Sequence, residues 1–112
     1  MFLQYYVTES ATGNRVNIEI DAATQADLDA TRNGWQTVWN TDFILDPQKE
    51  KYAAKTEDGE IIALGAYRVR KGSVAVYIAY IESQPESNPT LTEHKKYSGI
   101  GKAMIAFGIQ LS

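Results

Sequence analysis

The chain has 112 residues, enough for one compact domain. It is 44% hydrophobic and 11% aromatic, a composition that builds a packed core and excludes a disordered chain. Its formal net charge of -3 excludes a global pull toward nucleic acid or an anionic membrane, so any anion must be held by local groups. With no cysteine it has no disulfide, no thiolate metal site and no cysteine nucleophile.

The opening MFLQYYVTES lacks the basic start and long apolar run of a secretory signal, and no apolar segment is long enough to span a bilayer. A cytoplasmic protein is expected. LQYYVT and RVNIEI are rich in β-branched and aromatic residues, and ESATGN between them has turn chemistry, which predicts a hairpin. In its second strand Val16, Ile18 and Ile20 alternate with Asn17 and Glu19, the pattern of one buried face. In DAATQADLDATRNGWQTVWN, Thr24 followed by Asp27 reads as a helix N-terminus, with Asp21 as an alternative cap. Leu28, Trp35 and Val38 or Trp39 are then expected on one helical face, with Asn33-Gly34 a candidate break. The two tryptophans read either as core or as the lining of an acceptor pocket.

KYAAKT and EIIALGAYRVR flank Glu57-Asp58-Gly59, a second hairpin signal. Lys71-Gly72 then turns the chain into SVAVYIAYIES. Both alternating faces of these strands are apolar, with Ile61, Ala63 and Tyr67 on one side and Ile62, Leu64 and Ala66 on the other. Val74, Val76 and Ile78 likewise oppose Ala75, Tyr77 and Ala79. Strands apolar on both faces are central strands covered on both sides, here by helices. One cover is the last run, where Ile100, Ala103, Met104, Phe107 and Leu111 form a stripe with Ile105 and Ile109 beside it. The expected class is therefore α/β, a single domain over 1–112. DPQKEK and RVRKG read as solvated turns, with Arg68 and Arg70 as alternative flanks of a nucleic-acid surface. His94 reads as a surface residue, and no metal-ligand cluster is present in the sequence.

Hairpin, helix, three-strand meander, polar loop, glycine turn and helix follow one another in an order that resembles the GCN5-related N-acetyltransferase superfamily, which implies a mixed sheet with helices on both faces. Two motifs carry the resemblance. IESQP matches the family's strand ending at Ile81 and Pro85, with Ser83 where an apolar residue is usual. KYSGIG matches its phosphate-binding turn, with Lys96 in place of Arg or Gln. The match covers the second half of the chain, from about Tyr52, and the first half by element order alone. ESNPTLTEHK makes the intervening loop longer than usual. The resemblance implies acetyl-CoA as co-substrate and direct transfer of the acetyl group to an amine, either a small molecule or a peptide, without nucleic acid or membrane. It implies diphosphate contacts at Lys96, Tyr97, Ser98, Gly99, Ile100, Gly101 and Lys102. A glycine-rich helix mouth suits an anion, because it offers unpaired N–H groups with no side chain in the way. The resemblance also implies that the pantetheine arm pairs with the backbone of Tyr80 to Ser83, with Ile81 and Ser83 as cofactor residues. Candidate bases are Glu82, Tyr80 and Tyr77, and the alternative for Glu82 is a solvated strand-end charge. A non-catalytic coenzyme-binding or protein-interaction module on the same fold is the second expectation. Family members continue past this helix, so the resemblance further implies a C-terminally shortened domain. Its open strand edge would be covered in a homodimer.

Overall fold

The structure is a computed structural model describing residues 5–32, 34–37, 39, 49–69, 76–88, 91–92 and 94–111. Six strands form one sheet in the order β5-β4-β3-β2-β1-β6. The first hairpin joins β1 (Tyr5–Glu9) to β2 (Arg15–Ala22), and the second joins β3 (Lys49–Thr56) to β4 (Ile61–Val69). β5 (Val76–Ser83) returns along β4, and β6 (Tyr97–Ser98) is a two-residue strand on the outer side of β1. Every pairing among the described residues is antiparallel, so the mixed sheet that the sequence resemblance implies is here an antiparallel one. The predicted turn at Lys71-Gly72, with Arg70, Val74 and Ala75, lies outside the described residues.

Helix α1 (Gln25–Asp29) starts as expected. The Thr24 hydroxyl accepts from the Asp27 N–H at 3.2 Å, and an Asp27 oxygen accepts from the Thr24 N–H at 2.9 Å. Asp21 instead accepts from the N–H of Ala22. The helix is shorter than expected: it tightens into a 3-10 turn over Ala30–Arg32, and Gly34 has φ +96. Trp35 and Trp39 therefore follow the helix and do not ride on it. Trp39 is core, fully buried beside Leu28, Ala53, Leu64 and Ala66. Val38 lies outside the described residues.

Helix α2 (Ile100–Leu111) packs on the other face, and the sheet curls round it so that β1, β4 and β5 all touch it. Ile100, Ala103, Met104 and Phe107 enter a core with Val7, Ile18 and Tyr67, while Ile105 and Ile109 are exposed. Two bulges set the phase of the central strands. Ala54 pairs with Ala63 but Lys55 with Ile61, so Ile62 is an extra residue. Ile62 consequently joins Ala63 and Tyr67 in the α2 core, and Ile61 joins Leu64 on the α1 side, reversing the alternation expected for those two isoleucines. The second bulge makes Ala79 extra in β5, between the pairs Ala66–Tyr80 and Tyr67–Ile78.

Two expectations follow. A Cβ at Gly65 meets the Tyr67 ring at 2.7 Å and the Met104 methyl at 2.9 Å, so Gly65→Ala should destabilise the fold by about 1–3 kcal/mol in urea unfolding. Burial alone raises the Asp27 pKa, but the Thr24 N–H and hydroxyl and the Lys55 ammonium at 3.0 Å outweigh it and hold the carboxyl below its ordinary value. A lowered carboxyl pKa contributes stability that is complete above the unfolded value of about 4 and lost as the pH falls through the folded value. Stability should fall as the pH drops below about 4, and Asp27→Asn should flatten that slope.

Candidate functional site

The mouth of α2 is built by a change of direction. Tyr97 and Ser98 pair with Glu9 and Thr8, and the Lys96 carbonyl accepts from the Ser10 N–H at 3.0 Å. Gly99, at φ +88, then swings the chain off the sheet, and its carbonyl accepts the first helical bond, from the Ala103 N–H at 3.0 Å. That backbone conformation favours glycine. Gly101 has no such need, because it lies inside the helix. A Cβ at either glycine meets no atom within 4 Å. Glycine at position 101 therefore costs the helix about 1 kcal/mol relative to alanine, with no packing contact to explain it. The N–H groups of Ile100, Gly101 and Lys102 have no acceptor within the helix and stand at its positive end.

The predicted diphosphate residues divide by direction. Tyr97 and Ile100 are buried anchors, whereas Ser98, Gly99, Gly101 and Lys102 are exposed. Ser98, Gly99 and Lys102 line a cavity of about 450 Å³ shared with Tyr5 to Thr8 of β1, and none of the described residues lining it is acidic. Lys96 lies elsewhere. Its ammonium donates to both oxygens of Glu60, at 2.8 and 2.9 Å, which raises its pKa. It lines a second cavity, of about 460 Å³, with Asp27, Trp35, Glu60 and Glu86.

Ile81 and Ser83 are at the other end of the strand order. The Gln84 N–H donates to the Ile62 carbonyl at 2.8 Å, so Gln84 and Glu82 turn their backbone groups toward β4. By alternation, Ile81 and Ser83 turn theirs outward. Neither residue lines the cavity that the glycine turn lines.

Glu82 is not a solvated strand-end charge. It is 4% exposed and accepts from the Gln36 N–H at 2.6 Å, the Thr37 N–H at 3.2 Å and the Trp39 indole N–H at 3.0 Å. Both oxygens are engaged in fastening the segment after α1 to β5. Tyr80 belongs to the same assembly, since its hydroxyl accepts from the Thr37 hydroxyl at 2.9 Å and its ring lies 5.4 Å from that of Trp39. The side chain of Tyr77 is outside the described residues. His94 and Arg68 are exposed. Among the described residues no group of three acidic or histidine side chains is placed to hold a metal, and no helix is long and apolar enough to cross a membrane.

Sequence reasoning missed the wall that β1 gives the first cavity and the donors that Gln36 and Thr37 bring to Glu82. Both depend on pairings between distant parts of the chain that leave no local signal. Compared with protein-family models, curated proteins and solved structures, the chain matches none.

Glu82→Ala should destabilise the protein by about 2–4 kcal/mol, because three buried donors lose their acceptor, and Glu82→Gln by less. Urea unfolding checks both. Unchanged stability in Glu82→Ala would show that the carboxylate holds nothing in place.

Proposed function

We propose that the chain binds acetyl-CoA, with the diphosphate at the mouth of α2, and is an N-acetyltransferase-like protein that passes the acetyl group to an amine by direct attack. One observation carries this reading: Gly101, a helix-weakening residue, faces open space beside N–H groups that have no acceptor within the helix and next to Lys102. A diphosphate accepts from those N–H groups, pairs with Lys102 and needs the room that a side chain at 101 would fill. In the transfer, the amine nitrogen attacks the thioester carbon, the carbon–sulfur bond breaks, and the thiolate takes up a proton. The amine must lose a proton first, so a base is needed.

The second reading, a non-catalytic coenzyme-binding or interaction module, is favoured by Glu82. Its oxygens already hold three donors, so it is poorly placed to take a proton from an acceptor. The Tyr80 hydroxyl is likewise engaged, with the Thr37 hydroxyl of the same segment. Self-association over β5, the last strand in the order among the described residues, belongs to the same proposal. Light scattering across a dilution series should show a dimer at micromolar concentration, and a monomer throughout contradicts it.

Acetyl-CoA should raise the melting temperature of the chain and bind measurably by calorimetry. Gly101→Ala should stabilise the free protein by up to about 1 kcal/mol while weakening acetyl-CoA binding, and Gly101→Glu should abolish binding. Lys102→Ala should weaken binding more at low salt than at high salt, and Lys96→Ala should have little effect. Binding by Gly101→Glu equal to the parent's overturns the site. Thiol release with a panel of amines then separates the readings: turnover means an enzyme, and binding without turnover a module.

A further inference from the structure

The cavity beside α2 follows the outer edge of β1, and the backbone there is not fully paired. The Glu9 N–H donates to the Asn14 carbonyl at 2.8 Å, so Glu9, Val7 and Tyr5 turn their backbone groups toward β2. The Ser10 N–H donates to the Lys96 carbonyl, so Ser10, Thr8 and Tyr6 turn theirs away from β2. Ser98 lies opposite Thr8, and at Gly99 the chain leaves the sheet. Tyr6 is next in line. It lines the cavity, and among the described residues no strand pairs with its outer side.

Three further features say what the cavity takes. Among the described residues lining it Lys102 is the only charged one, so it suits an anionic head at the end where Gly99 opens α2. Val7, Ala103 and Ala106 give an apolar wall, which suits a thin aliphatic chain. Tyr5 also lines it, and its hydroxyl is buried without a hydrogen-bond partner among the described residues.

We infer that the outer edge of β1 is the track of the coenzyme's pantetheine arm. An arm amide pairs with the N–H and C=O of Tyr6 as a short added strand, and the diphosphate lies at Gly99 to Lys102. This rests on the coenzyme reading above and differs from the track along Ile81 and Ser83 that the sequence resemblance implies. Among the described residues Tyr6 alone is free of both β2 and β6 on that side, and one amide of the arm is enough to pair with it.

Proline substitution separates the two tracks, because it deletes one outward N–H and spares the bonds to the neighbouring strand. Calorimetry would compare acetyl-CoA with ADP, which has the diphosphate but no arm, on the parent, Tyr6→Pro, Ser83→Pro and Ala106→Phe. Tyr6→Pro should weaken acetyl-CoA by about five- to tenfold, the effect of one lost hydrogen bond, and leave ADP unchanged. Ala106→Phe fills the cavity from an exposed helix position and leaves every sheet residue unchanged, and should separate the two ligands in the same way. Ser83→Pro should separate nothing. If Ser83→Pro is the variant that separates them, or if Ala106→Phe leaves both affinities intact, the arm does not run on β1, and the coenzyme reading survives. If the parent binds neither ligand, the coenzyme reading itself fails and takes this inference with it.

Discussion

The seat of α2 on Tyr67 is the constraint on which the rest of the molecule depends. Tyr67 is fully buried in β4, and its hydroxyl donates to the Met104 carbonyl at 2.8 Å. Burial raises the pKa of that hydroxyl, which keeps it a neutral donor over the whole working range. The ring fills the space above Gly65, and a Cβ at Gly108 would meet it at 3.0 Å. Edge-on contacts with Tyr52 and Phe107 hold it from the sides. A helix fixed in this way can neither slide nor rotate, so the position of its mouth beside β1 follows from a contact several residues away.

The opposite face is fastened by a different device. Glu82 gathers two backbone N–H groups and an indole, which closes the segment after α1 over the central strands. Asn88 reinforces this from the loop after β5, by donating to Gln36 at 3.0 Å. The one carboxylate among the three candidate bases is thus committed to the fold. The groups at the mouth of α2 have no comparable structural task. Polar groups spent on folding on one face and left open on the other make binding at α2 better supported than chemistry at β5.

Local features were legible in the sequence. Both hairpins, the Thr24–Asp27 cap and the apolar stripe of α2 are encoded within a few residues of one another. The two bulges were not, because an extra residue in a strand leaves a run such as Ile61-Ile62 looking like ordinary two-sided burial. The end of α1 was legible only in part: Asn33-Gly34 signals a break, but the core position of Trp39 depends on Glu82, more than forty residues away. The glycine turn was legible as a helix mouth, but its partner was not. The long loop after β5 bonds back at Lys96 to Glu86 and at Tyr97 to Ser87, then delivers β6 to the far edge of the sheet. No feature of KYSGIG alone shows that β1 will be its neighbour.

The central claim is that the open groups at the mouth of α2 receive the diphosphate of a coenzyme. The most direct measurement is a backbone amide spectrum of the isotopically labelled chain during titration with acetyl-CoA. The account predicts saturable shifts at Gly99, Ile100, Gly101 and Lys102, with the amides of Trp35 and Glu60 beside the other cavity unmoved. Shifts confined to that other cavity, or no saturable shift at the four helix-mouth amides, would contradict it.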